Sequence, residues 1–175
     1  MINKVLSILI SIIITLVSIS KPFDEIVSSE PVCPSTECSV SSSGNVHSKD
    51  AVELFELCNR AREDAGLDKL VYSNEISQLA YIRACEQLSS PGHLRPVSSS
   101  RFYTVFEENG MVYDAYGENI VIIRSQKTFS PSHALNLWLS SEPHKKILLG
   151  EWTYSGICVL ESDEEYFYTV QLFAR

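Results

Sequence analysis

Apolar residues recur at helical spacing after a polar stretch that ends near residue 50. Asp50 is a candidate N-cap because Glu53 follows three residues later, as in a capping box. Gly66 suits the left-handed position that closes many helices. The pattern therefore predicts a first helix from about Asp50 to Gly66. Its buried stripe is expected to carry Ala51, Leu54, Phe55, Cys58, Ala61 and Ala65.

Two later stretches carry helix-start signals of their own. A second helix is predicted to open at Ser73 or Asn74 and to run to about Leu88. Its buried residues are expected to be Ile76, Leu79, Ala80 and Ala84. Ser130-Pro131 predicts the start of a third helix, since proline is favoured at the first helical position after a serine cap. That helix carries Ala134, Leu135, Leu137 and Trp138.

Runs of β-branched and aromatic residues predict strands in the second half of the chain. Residues 120–123 are all Ile or Val and are expected to form a buried strand. Residues 156–160 and 166–173 predict a hairpin, with the acidic residues 161–165 as its turn. Residues 101–106 fit a short helix and a strand equally well. Helices arranged around a few antiparallel strands indicate an α+β sandwich.

The first twenty residues have the pattern of a targeting segment. Lys4 precedes an apolar run from Val5 to Val17, and small residues precede Lys21. We interpret residues 1–20 as a secretory signal peptide. The alternative is an uncleaved anchor, because the uncharged run approaches the ~17–25 residues that span a bilayer. Residues 21–47, rich in Ser and Pro, are predicted to be a linker, and residues 48–175 a single domain.

The charge composition of the chain limits the classes of partner that we expect it to bind. The chain has 14 Lys and Arg against 22 Asp and Glu, a net charge of −8. Nucleic acids and anionic membranes are bound through clustered basic residues, so neither is expected as a partner. Contact with a membrane is expected only through the N-terminal segment, if that segment is not cleaved.

Five cysteines are an odd number for an exported protein, so one must remain a thiol or pair with another chain. Cys33 and Cys38 are close enough in sequence to close a small loop. Cys58 and Cys85 lie on the first two predicted helices and are a candidate pair. Cys158, within a predicted strand, is expected to be a buried apolar side chain. The pairing stays open on sequence alone.

Three polar motifs lie between the predicted elements. Glu118 is part of Gly117-Glu118-Asn119 at the entrance of a predicted strand, and His93 and His144 lie in loops before and after it. In isolation, such a glutamate is typical of a solvated turn, and a lone loop histidine is more often a surface residue. Glycine and asparagine beside the glutamate, however, favour a carboxylate held in a fixed place.

The order of the motifs resembles the CAP superfamily of cysteine-rich secretory proteins, antigen 5 and plant pathogenesis-related proteins, in its compact bacterial form. The resemblance covers residues from about 50 to 173. The motifs that carry it are, in chain order, Asn59, Arg60, Arg62 and Gly66-Leu67; the helix from Ala80 to Glu86; His93-x-Arg95-Pro96; Gly117-Glu118-Asn119-Ile120; Trp138-x-x-Ser141-x-x-His144; and Val170-Gln171-Leu172-Phe173.

The resemblance implies a three-layer α-β-α sandwich with a small antiparallel sheet, and a short helix for residues 101–106. It also implies an open cleft lined by His93, Glu118 and His144, with Ser141 and Glu142 beside them. Two neutral imidazoles can ligate a divalent metal such as zinc, weakly because two ligands leave the shell open. Ser141 stands where longer eukaryotic members have a second glutamate, and Glu142 lies one step further on.

The other candidates near these motifs have simpler expected roles. Arg95 is expected to pin the loop of His93 through hydrogen bonds to backbone carbonyls. His47 and His133 lie outside the motifs and are expected to be solvated. Trp138 is expected to lie in the core.

The first functional hypothesis is a secreted or surface-tethered CAP-domain protein that binds a small-molecule, lipid or peptide ligand in its cleft. The second is a metal-assisted or histidine-assisted, peptidase-like hydrolase in which His93, Glu118 and His144 are catalytic. The sequence contains no Gly-x-Ser-x-Gly or His-Glu-x-x-His motif that would favour it. The third is structural: the same polar residues only fix the loops.

Overall fold

The computed structural model describes residues 44–96, 99–124 and 128–175, which belong to one compact unit. The predicted targeting segment, most of the linker, Cys33 and Cys38 lie outside these residues. The helices are α1 Ser48–Asp64, α2 Asn74–Ser89, α3 Thr104–Glu108, α4 Pro131–Ser140 and α5 Glu142–Leu148. The strands are β1 Asn45–Val46, β2 Val71–Tyr72, β3 Tyr116–Arg124, β4 Tyr154–Glu161 and β5 Tyr166–Ala174. No helix in the described part of the chain is long and apolar enough to cross a membrane.

The local sequence signals place most helix ends correctly. Ser73 caps α2 by accepting a hydrogen bond from the backbone N–H of Ile76, at 3.2 Å. Ser130 caps α4, whose first residue is Pro131. Gly66, just beyond α1, has the predicted positive φ of 75°. Residues 101–106 lead into the short helix α3 that the family resemblance implied.

The start of α1 differs from the prediction. The helix begins at Ser48, so Asp50 lies in its first turn and is not its cap. His47 holds the cap position, and its ring bonds the carboxylates of Asp50, at 3.2 Å, and Glu161, at 2.8 Å. The ring of His47 therefore joins the start of α1 to the end of β4 instead of being simply solvated.

The sheet has five strands in the order β1-β4-β5-β3, and β2 also pairs with β4. All pairings are antiparallel except the short one between β2 and β4. Residues 45 and 46, expected in the linker, form β1 and pair with Glu161 and Leu160. The predicted hairpin of β4 and β5 is confirmed. The two-residue strands β1 and β2 were not predicted.

Helices cover both faces of the sheet, which confirms the α-β-α sandwich. On one face α1 and α4 pack against Ile157, Val159 and Phe173, and Trp138 is fully buried in this core as predicted. On the other face α2 and α3 pack against the alternate side chains of β4 and β5. These alternate side chains are Cys158, Leu160, Val170 and Leu172.

The sheet explains why the candidate disulfide between α1 and α2 is wrong. Cys58 packs on the α1 face and Cys85 on the α2 face, so the strands lie between them. Both are thiols, and Cys58 donates a weak hydrogen bond to Gln171. Cys158 is buried as predicted.

Strand β3 is longer and less buried than predicted. It begins at Tyr116, so Glu118 lies inside the strand and not before it. The buried residues are Gly117, Glu118 and Asn119, whereas Ile122 is 37% exposed. The reason is position: β3 is an edge strand, so its apolar run is only partly covered. The buried polar residues of this edge strand, Glu118 and Asn119, thus lie near its start.

Candidate functional site

Glu118 lies at the centre of a buried ionic cluster on the α2 side of the sheet. Its side chain has no solvent-exposed area, and neither has that of Arg83 on α2. Arg83 Nε donates to Glu118 Oε1 at 2.7 Å, and Arg83 Nη2 lies 3.4 Å from Oε2. His93 Nδ1 lies 2.7 Å from the same Oε2. Both carboxylate oxygens are therefore engaged.

The loop that carries His93 is fixed by side chains of α2. Arg83 Nη2 donates to the carbonyl of Gly92 at 2.8 Å. The amide of Gln87 holds both backbone groups of Gly92, donating to its carbonyl at 2.9 Å and accepting from its N–H at 2.6 Å. Gly92 has φ of +137°, which favours glycine. The backbone before His93 and the Nδ1 atom of its ring are thus both held, while its side chain remains 55% exposed.

Arg95 also fixes this region, as predicted, and does so through side chains of α2 and α3. Its guanidinium donates to Glu86 Oε1 through Nε and Nη2, at 2.9 and 2.7 Å. It also donates to Glu108 at 2.6 Å and to Thr104 at 3.1 Å, both on α3. Among the described residues these side-chain partners are carboxylates and a hydroxyl, whereas backbone carbonyls were expected. Because Glu86 also pairs with Arg83, one ionic network joins α2, α3 and the loop of His93.

His144 approaches from the opposite layer. It lies on α5, and its Nδ1 is 2.8 Å from the hydroxyl of Ser141. Asn119 Nδ2 donates to the carbonyl of His144 at 3.1 Å, which ties α5 to β3. Asn119 Oδ1, in contrast, is buried without a partner among the described residues. Burial and the nearby His93 both lower the pKa of His144 below its ordinary value.

Glu118 and Asn119, adjacent on β3, hold the ring of His93 and the backbone of His144, and the two rings are close enough for His93 to lower the pKa of His144. Successive side chains of a strand point to opposite faces, so Glu118 meets the His93 layer and Asn119 meets the His144 layer. Each ring uses Nδ1 for an internal hydrogen bond, and within the described part of the chain neither Nε2 takes one. The structure thus brings together His93 with Glu118, and His144 with Ser141.

The predicted metal site has only two protein ligands, Nε2 of His93 and Nε2 of His144. Among the described residues, no group of three or more His, Cys, Asp and Glu side chains is placed to hold a metal ion. Both oxygens of Glu118 are already bonded to Arg83 and His93, and Glu142 is exposed at the start of α5. The donor set still fits a divalent ion, because imidazole nitrogens oriented by an outer hydrogen bond are typical metal ligands.

Arg83 escaped the sequence analysis, and Asn119 was expected only to support the neighbouring Glu118. Arg83 is wholly buried and carries the cluster, and Asn119 fixes α5. A signal for Arg83 was present: it lies seven residues after Ile76 and one before Ala84, on the buried stripe of α2. A charged residue on such a stripe is rarely buried unless it is paired. His133, predicted to be solvated, is exposed.

Comparison with known proteins agrees with the fold. A sequence model of the cysteine-rich secretory protein family, CAP, matches residues 55–173. No curated protein matches the chain by sequence. An outer surface protein of Borrelia burgdorferi is similar in structure, with a TM-score of 0.66 and 16% identity over 76% of this chain and 98% of its own.

Two longer bacterial proteins share the same fold. An extracellular protein containing a SCP domain from Bacillus anthracis has a TM-score of 0.62 and 24% identity over 73% of this chain. A cysteine-rich secretory protein from Staphylococcus aureus has a TM-score of 0.57 and 18% identity, also over 73%. This chain spans 41% and 39% of their lengths. With the family match over most of the domain, the chain belongs to the cysteine-rich secretory protein (CAP) family.

Proposed function

We propose that this protein is an exported CAP-domain binding protein whose cleft holds a divalent metal weakly between Nε2 of His93 and Nε2 of His144. Zinc is the first candidate because imidazole is among its preferred ligands. The observation that carries the proposal is the use of Nδ1 in both rings, which leaves the two Nε2 atoms without an internal hydrogen bond, in rings near enough for His93 to lower the pKa of His144.

The state of His93 supports ligation. An ionised carboxylate only accepts hydrogen bonds, so the contact with Glu118 requires a proton on Nδ1. In the neutral ring Nε2 then carries the free lone pair. A carboxylate behind a metal-binding histidine is a common arrangement, because it fixes the ring and makes its other nitrogen more basic.

The state of His144 supports it as well. Its lowered pKa keeps the ring neutral to a lower pH than an ordinary histidine. A metal must displace a proton from any charged imidazole, so a ring that is already neutral binds at less cost. Metal binding should therefore weaken on acidification.

The proposed site is open. With two protein nitrogens, the remaining positions belong to water or to a ligand that offers an oxygen, such as the carboxylate or carbonyl of a small molecule, lipid or peptide. We propose that this opening is where the ligand binds. Export, or tethering at the outer face of the membrane, is supported by the targeting pattern of residues 1–20 and by the structural similarity to an outer surface protein of Borrelia and an extracellular protein of Bacillus.

The test is a thermal melt of the full chain with EDTA and then with increasing zinc. A metal that binds only the folded state raises the melting temperature, by the equivalent of about 2.7 kcal/mol at a hundredfold excess over its dissociation constant. The rise should vanish in His93→Gln and in His144→Gln. The matched control is His133→Gln, which alters an exposed histidine on α4 and should keep the full rise. A rise that survives in both cleft variants, or no rise in the parent, contradicts the proposal.

One contact favours the hydrolase as a second candidate. If the Ser141 hydroxyl donates to Nδ1 of His144, that ring is placed as a general base for a serine nucleophile. The buried thiols do not compete for this role, because burial raises the pKa of Cys58 to about 12 and that of Cys158 further. In this case Ser141→Ala abolishes esterase or peptidase activity and His93→Gln leaves it in place. Activity that persists in Ser141→Ala contradicts the mechanism.

A further inference from the structure

Arg83 contacts the two groups that hold His93 in place, the carboxylate of Glu118 and the backbone of Gly92. Its Nε and Nη2 face the two oxygens of Glu118, and Nη2 also donates to the carbonyl of Gly92, the residue before His93. Its Nη1 donates to Glu86. One guanidinium thus holds the hydrogen-bond partner of the ring and the backbone beside it, with no exposed area of its own.

We propose that Arg83 is a positioning residue: by holding one end of the side chain of residue 118 it aims the other end at Nδ1 of His93, so that the carboxylate oxygen there selects the Nδ1–H tautomer and leaves Nε2 free for a ligand. The purpose of this selection rests on the proposed function, but the selection itself is a property of the chain without metal. Arg83 touches no ligand, so its role is exerted through Glu118.

The geometry of arginine is what this role requires. The fork of Arg83 presents Nε–H to Oε1 at 2.7 Å and leaves Oε2 to His93. The longer separation of 3.4 Å between Nη2 and Oε2 makes that contact the weaker one. The carboxylate therefore has one oxygen committed to Arg83 and the other aimed at Nδ1. A lysine has its three donors on one nitrogen and no rigid fork, so it cannot reach Glu118 and Gly92 from separate, fixed positions as Arg83 does.

The substitution Glu118→Gln should change the tautomer of His93, which can be measured. The amide has one accepting oxygen, and the buried Nε–H of Arg83 must keep an acceptor. The oxygen therefore stays on the Arg83 side, and the NH2 group faces His93. A donor opposite Nδ1 requires a lone pair there, so the proton moves to Nε2. The variant has nearly the shape of the parent and the opposite tautomer.

The experiment measures the imidazole ¹⁵N chemical shifts of the metal-free full chain at about pH 8, where an ordinary histidine is neutral. The parent should show His93 with Nδ1 protonated, and Glu118→Gln should show Nε2 protonated. In Glu118→Gln/Arg83→Met the amide loses the donor that oriented it, so His93 should become a mixture of both tautomers. His144, on the opposite layer, should keep the same shifts in all three proteins.

Either of two results overturns the inference: His93 keeps the Nδ1–H tautomer in Glu118→Gln, or the double variant is as fully Nε2-protonated as the single one. A thermal melt checks that each variant is folded, and if the double variant is not, Glu118→Gln alone still decides. Zinc should no longer raise the melting temperature of Glu118→Gln. A parent with the expected tautomers but no zinc response contradicts the metal site and leaves the tautomer selection standing.

Discussion

Removing Arg83 should cost far more stability than removing an arginine on the surface. In Arg83→Met the carboxylate of Glu118 stays buried with its strongest partner gone. Breaking a buried ion pair from one side costs about 3–5 kcal/mol, because the remaining charge is uncompensated. Typical domains are stable by about 5–15 kcal/mol, so this loss is a large fraction of the total. Gln87 still holds the carbonyl of Gly92, so the loop itself should not be released.

Urea unfolding followed by circular dichroism measures the effect. The matched control is Arg60→Met on α1, whose ion pair with Glu56 is long, at 3.7 Å, and well exposed. That variant should lie within about 0.5 kcal/mol of the parent. The double variant Arg83→Met/Glu118→Met should recover much of the loss, since no buried charge is left facing an apolar side chain. An Arg83→Met variant as stable as Arg60→Met, or a double variant no better than the single one, would refute the reasoning.

Two further predictions concern packing and pH. A Cβ at Gly156 would lie 2.2 Å from the backbone nitrogen of Ser77. Gly156→Ala should therefore push α2 away from β4 and lower the urea midpoint by the equivalent of about 1–3 kcal/mol or more. An unchanged midpoint would show that the two backbones can move apart without loss of stability. Because the pKa of His144 is lowered by folding, the unfolded chain binds that proton first as pH falls below about 6.5. The free energy of unfolding should therefore decrease as the pH falls from about 6.5 to the lowered pKa of His144. The decrease should be smaller in His144→Gln, and urea titrations at several pH values can measure it.

Local signals predicted the helices well because their causes are local. Ser73 and Ser130 are followed by the residues whose N–H groups they cap, and Gly66 supplies a backbone angle that other residues resist. The failed start of α1 shows the limit of the same reasoning. Asp50 and Glu53 match a capping box, but β1 pairs with β4 just before the helix and draws residue 47 into the cap position.

Features that depend on distant parts of the chain were not predictable. The apolar run of β3 is typical of a central strand, but whether another strand lies beside it is a property of the whole sheet. The same holds for Cys58 and Cys85, which are on consecutive long helices but on opposite faces of that sheet. Arg95 was correctly expected to fix its loop, whereas its partners Glu86 and Glu108 come from two helices whose approach no local pattern encodes.

The candidate site shows the same division. The family motifs identified His93, Glu118 and His144, and the structure places each in a definite set of contacts. The motifs did not identify Arg83, because an arginine in a helix is ordinary until the stripe to which it belongs is known to be buried.

The central claim, that Nε2 of His93 and Nε2 of His144 hold one metal ion, is tested most directly by crystals of the full chain soaked in zinc and measured at the zinc absorption edge. The account predicts one anomalous peak in the cleft, about 2.0–2.1 Å from Nε2 of His93 and of His144. A peak bound to only one of the two rings, or zinc found only at His47 or His133, would contradict it.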